Sequence, residues 1–130
     1  MIPRYSNEKI SSIWSDKNRY EIWLKIEIAI CEKLCIDKKI PKKDFLNIKK
    51  KSKIDVKDIQ RLDDKTQHEV IAFLNSVSKK VGKSSRYIHQ GITSSDIIDT
   101  AFSVQLKEAT ETIISDLNNF LKVLKITLLI

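Results

Sequence analysis

A chain of 130 residues, 42% hydrophobic and 32% charged, has the size and apolar content of one domain with its own core, and is too apolar for a disordered tract. Two glycines and two prolines argue for long helices, and no apolar run approaches the roughly 18 residues that a membrane span needs. The net charge of +7, mostly lysine, favours anionic partners such as nucleotides or nucleic acid. The N-terminus lacks the layout of a signal peptide, so the reading is a cytoplasmic protein.

Every predicted element is helical. Met1 to Tyr5 form a short arm, in which Arg4 offers a fork of N–H donors matched to a phosphate and Tyr5 offers a ring and a hydroxyl. On the residues alone, a disordered terminus serves equally. Ser6 is the expected N-cap of a short helix reaching about Trp14, with Glu8 in its first turn. Asp16 is the expected cap of a second helix to about Ile36. Its apolar stripe is Trp23, Ile26, Ile30 and Leu34, widened by Leu24, Ile28 and Cys31, and reads as core. Cys31 and Cys35 share one face among aliphatic residues. No histidine or further cysteine completes a ligand set, so they read as buried reduced thiols rather than a metal pair.

Pro41 suits the first position of a lysine-rich helix whose apolar side is Phe45, Leu46 and Ile48. Lys49 to Lys53 lacks interleaved aromatics, which favours a solvated face over a nucleic-acid surface. Asp55 is the expected cap of the next helix, which carries Val56, Ile59 and Leu62. Thr66 with Glu69 three residues on resembles a capping box, which puts His68 in the first turn of a helix ending at Val81 before Gly82. A histidine there is a candidate acid, base or phosphate donor, and equally a structural hydrogen-bonding group.

The stretch from Tyr87 to Thr100 is a polar loop running into a helix start. Ser94 or Ser95 is the expected N-cap, Asp96 lies in the first turn, and Gly91 permits a close backbone approach or a positive φ. Free N–H groups at a helix start suit a carboxylate or phosphate, and Thr93 and Ser94 add hydroxyl donors there. Such a cluster taken alone is an ordinary capped helix. His68 and His89, the two histidines of the chain, both stand beside helix starts and add weight to a ligand site. From Ser95 onward one helix carries a seam of Ile98, Phe102, Leu106, Ala109, Ile113, Leu117, Phe120 and Leu124, as used in helical bundles.

The run His89-Gln90-Gly91-Ile92-Thr93-Ser94-Ser95-Asp96-Ile97-Ile98-Asp99-Thr100 resembles the adenylosuccinate lyase family of the fumarase/aspartase superfamily. That family reads His-x-Gly-x-Thr-Ser-x-Asp-x-x-Asp-Thr, and every fixed place is filled. Arg4, Tyr5 and Ser6 match its nucleotide-contacting arm, and Asn18, Arg19, Tyr20, Glu21, Trp23 and Leu24 reproduce a further run. His68, Val70, Ala72 and Phe73 match an Arg-His-Asp-Val-x-Ala-Phe segment, with two departures: Gln67 replaces Arg and Glu69 replaces Asp. Losing the Arg removes a charged donor for a phosphate or carboxylate.

The resemblance covers residues 1 to about 124 and implies an all-α fold, with residues 1–93 an N-terminal helical domain and residues 94–130 the first part of a long central-bundle helix. It implies a cofactor-free, metal-free elimination of fumarate from adenylosuccinate to give AMP, and from the succinyl-carboxamide ribotide of purine synthesis. Arg4 and Tyr5 would hold the nucleotide, and Thr93 and Ser94 the succinyl carboxylates. His68, the catalytic candidate, would bond substrate with Gln67 and Glu69 beside it, and His89 would contact phosphate. The implied assembly is a homotetramer with sites shared between subunits, and with no nucleic-acid or membrane partner. The family's later segments with the general acid and base have no counterpart here, so a truncated piece, inactive alone, is expected. The alternative is a helical interaction module without catalysis.

Overall fold

The computed structural model describes residues 3–128, and all regular structure among them is helical. Met1 and Ile2 of the arm, and Leu129 and Ile130 of the apolar tail, lie outside the described residues. A short 3-10 turn at Pro3–Tyr5 precedes α1 (Glu8–Ile13). Asn7 caps α1, its side-chain oxygen accepting from the Ile10 N–H at 3.2 Å. The sequence reading placed that cap at Ser6; the Asn7 oxygen is the one three residues before a free N–H. For the same reason Ser15, rather than Asp16, caps α2 (Asp16–Ile36), its hydroxyl accepting from Asn18 at 3.2 Å. Asp16 becomes the first helical residue, where its charge faces the positive end of the helix dipole.

Pro41 stands one place outside α3 (Lys42–Lys51), with ψ 136°, so it directs the chain in without entering the helix. Asp55 caps α4 (Val56–Thr66) as expected, accepting from Asp58 at 3.1 Å. The next turn departs from the sequence reading. Gln67 takes the left-handed conformation at φ 49° and closes α4, so Thr66 ends that helix instead of capping the following one. His68, extended, is the cap of α5 (Glu69–Val81), and Glu69 is its first helical residue rather than the third. Gly82 ends α5 at φ 73°, and a 3-10 turn over Gly82–Tyr87 leads to the loop before α6 (Ser94–Leu128).

Helix α2 lies against α1, α3, α4 and α6, while α4 and α5 pair as a hairpin. Aromatic rings join these layers. Trp23 and Phe73 meet edge to face with centroids 5.5 Å apart, and Tyr20 lies 5.4 Å from Trp23 and 6.3 Å from Phe73. Around them Ile40, Ile48, Ile59, Val70, Val77 and Val81 are buried. Cys31 is buried and Cys35 half-buried, both as free thiols. Burial, then the charge of Glu27, pushes the Cys31 thiol up to about 11. Lys49 pairs with Glu32 at 3.7 Å, and Lys50, Lys51 and Lys53 are exposed.

Helix α6 turns an unexpected face inward. Ile97, Ala101, Gln105 and Ala109 are its buried residues, and the Gln105 amide donates to the Ile13 carbonyl at 2.7 Å. The seam read from the sequence lies on the adjacent face: only its Ala109 is buried, while Phe102, Ile113, Leu117 and Phe120 are more than half exposed. Among the described residues no helix is long and apolar enough to cross a membrane. Phe73→Ala should destabilise the fold by about 3–5 kcal/mol through loss of its transfer energy and the cavity left. Leu46→Ala, at 53% exposure, should change stability by less than about 0.5 kcal/mol. Urea unfolding followed by circular dichroism measures both.

Candidate functional site

The start of α6 is held by a reciprocal cap. The Thr93 N–H donates to Asp96 Oδ2 at 2.7 Å, and the Thr93 hydroxyl accepts from the Asp96 N–H at 3.4 Å. Thr93 therefore occupies the cap position that the sequence reading assigned to Ser94 or Ser95, and Ser94 opens the helix. The Thr93 N–H, then its hydroxyl, hold the Asp96 carboxyl below the usual carboxylate range. An exposed carboxylate at the first turn also weakens this helix start as a site for a second anion, so positive charge nearby matters.

His89 lies close enough to act electrostatically on Asp96. His89 adopts φ 64° and Gly91 φ 77°. Nothing lies within 4 Å of where a Cβ on Gly91 would stand, so this glycine serves the left-handed turn and not a close approach. A left-handed non-glycine residue costs on the order of 1–3 kcal/mol unless its surroundings hold it there. Glu27 does so. Its Oε2 accepts from the His89 backbone N–H at 2.9 Å, and its Oε1 lies 2.7 Å from His89 Nδ1. Glu27 is 1% exposed, and burial pushes its carboxyl up against the opposing effect of both His89 bonds. The sequence reading missed Glu27, although a charged residue midway between Trp23 and Cys31 in an apolar stripe was a visible signal.

The α4–α5 turn separates neighbours in sequence. His68 Nδ1 accepts the Ile71 N–H at 3.4 Å, which leaves Nε2 to carry the ring proton of the neutral imidazole, on an exposed side chain. The Gln67 amide folds back to the Asp64 carbonyl at 3.1 Å. Glu69 instead reaches α2, accepting from the Tyr20 hydroxyl at 2.7 Å and pairing with Arg19. Burial, then Glu69, raises the Tyr20 phenol far above its ordinary value. Arg19 also pairs with Asp16 at 3.1 Å and lies over the rings of Tyr20 and Trp23. Asp16, Arg19, Trp23 and Glu69 line a cavity of about 420 Å³ that is bounded on the α6 side by Asp99 and Phe102. Of the expected site residues only Glu69 lines this cavity. Arg4 and Tyr5 are exposed on the arm, the guanidinium 5.1 Å from the ring centroid. Among the described residues no group of three or more His, Cys, Asp and Glu side chains is placed to hold a metal ion.

A family signature described as "Lyase" matches residues 4–127. The chain belongs to the lyase family. It is 44% identical over 124 residues to the adenylosuccinate lyase of Staphylococcus saprophyticus, a match covering 95% of this chain and 29% of that protein. This chain thus spans under a third of the length of that relative. Its fold is similar to the crystal structure of fumarate lyase from Mesorhizobium sp. BNC1, with TM-score 0.75 and 18% identity, over 83% of this chain and 26% of that one. The all-α architecture expected from the sequence is the one the described residues have.

Removing the α6 cap should be measurable in this chain. Thr93→Ala is expected to cost about 1 kcal/mol, read by thermal melts. The Asp96 carboxyl is lowered in the folded state, so its contribution is full above the unfolded value of about 4 and is lost as pH falls through the folded value. Asp96→Asn should therefore flatten the acid limb of stability below about pH 4, and an unchanged limb would show that the cap carries no such linkage.

Proposed function

We propose that this chain forms part of an adenylosuccinate lyase, eliminating fumarate from adenylosuccinate to leave AMP and from the succinyl-carboxamide ribotide in the same way. The observation that carries this reading is the loop from His89 to Asp96: every fixed position of the family's motif is filled, and its residues converge on the start of α6. The 44% identity to a protein named for that activity supports it.

Elimination needs a base for a carbon-bound proton, an acid for the leaving nitrogen, and donors where negative charge builds on the carboxylate. Thr93 and Ser94 would hold the succinyl carboxylates at the α6 start, and His89 would meet the phosphate. His68 would donate its Nε2 proton to substrate, since Nδ1 is occupied in capping α5. Gln67 stands beside it as an uncharged donor. Glu69 would act indirectly, by holding Arg19 and Tyr20, because both bond its Oε1. Arg4 and Tyr5 would grip the nucleotide without a metal or cofactor.

We assign residues 1–93 to a helical domain and α6 to the first helix of a bundle shared in a homotetramer, in a cytoplasmic enzyme. The exposed apolar row along α6 supports that assembly, and equally supports the second reading of a helical interaction module without catalysis. Fumarate release from adenylosuccinate separates the two. In the enzyme containing this chain, His68→Ala should lower kcat by about 10²–10⁴. Arg4→Ala should raise KM with kcat little changed. Residues 1–130 alone should show no turnover. Full kcat in His68→Ala would remove its catalytic role, and a normal rate from 1–130 alone would refute the view that acid and base come from elsewhere.

A further inference from the structure

Resting on the assignment of His89 to the substrate's phosphate, we propose that Glu27 is a positioning residue, which fixes the His89 ring through Nδ1 so that Nε2 is the atom presented to the anion. Glu27 sits at 1% exposure in the stripe by which α2 enters the core, a place where an aliphatic side chain would pack without a desolvation cost. Its partners explain why a carboxylate stands there. Both oxygens go to one residue 62 positions away: one to the backbone N–H and one to Nδ1.

This two-point grip sets the backbone and the ring together. With Glu27 ionised, the proton of the facing ring nitrogen sits on Nδ1, and in either state Nε2 is the ring atom left for any further partner. The His89 side chain is 21% exposed, which leaves an edge open while the rest is enclosed. One turn along α2, the Cys31 thiol donates to the Tyr87 carbonyl at 3.5 Å, so α2 holds the same loop at two successive points. The titratable groups shown to act on the ring are Glu27 from α2 and Asp96 from α6, with Cys31 one turn beyond Glu27 on the Tyr87 carbonyl. Contact with an anion then needs a proton on Nε2 as well, and a ring that carries both is the positive donor that the Asp96-capped helix start lacks.

The test pairs a ring measurement with kinetics. In this chain labelled with ¹⁵N-histidine, Nδ1 of His89 should carry a proton, and Glu27→Gln should change that state with helix content retained by circular dichroism. In the enzyme, Glu27→Gln should raise KM for adenylosuccinate, and the inhibition constant of AMP, by about tenfold or more, with kcat changed less than about threefold. Added to His89→Ala, Glu27→Gln should raise KM no further, a result that a merely structural carboxylate would not produce. If Glu27→Gln fails to fold, Glu27→Asp, which keeps the charge but withdraws it from the ring, should give the same rise. An unprotonated Nδ1 in the unmutated chain, or an altered ring with unchanged KM, overturns the proposal. An unmutated enzyme inactive on adenylosuccinate overturns the lyase reading instead, and leaves the ring result standing.

Discussion

The contact between the rings of Trp23 and Phe73, with Tyr20 against both, is the constraint on which the other packing depends. It fixes α2 against α5 from the side, and α2 in turn is the surface on which α1, α3, α4 and α6 are laid. Aromatic rings bury a large area with few rotatable bonds, so three of them define relative helix positions more sharply than aliphatic side chains of the same total area. The polar layer follows from this. Once Tyr20 is buried its hydroxyl needs an acceptor, and Glu69 at the start of α5 supplies one while also receiving Arg19.

The same helix reaches the candidate site by a different device. Four residues beyond Trp23, Glu27 replaces an apolar group with a carboxylate, and the loop before α6 folds down onto it. A left-handed histidine and a left-handed glycine two residues apart make this loop a locally unfavourable path. The buried grip from α2 and the Thr93–Asp96 cap at its far end hold the loop between two fixed points. Rigid supports on both sides of a short loop are what a binding group needs if its geometry is to be set before the ligand arrives. The long exposed row on α6 has the opposite character. Beyond Phe102, which meets the Trp14 ring, the apolar side chains of this row as far as Leu124 stay largely exposed, because the inward face is taken by the small and polar residues Ala101, Gln105 and Ala109.

Much of this was legible in the residues. Helix type, the limits of α2 and the starts of α4 and α6 to within a residue, the cap at Asp55, the stop at Gly82 and the polar loop before α6 are all encoded within a turn or two of chain, where periodicity and capping chemistry act. Caps at Asn7 and Ser15 were each misplaced by one residue and that at Thr93 by one or two, because nearby side chains compete for the same N–H and only the backbone path selects between them. The local pattern also determined the family's motif, since that motif is a run of consecutive residues. Tertiary structure alone decided which face of α6 turns inward, that Gln67 breaks the helical path ahead of His68, and that Glu69 and Glu27 find partners about 50 and 62 residues distant in the chain. No local signal names such a partner. It is set by where the core brings two helices together, and a buried carboxylate then takes whichever donors that meeting supplies.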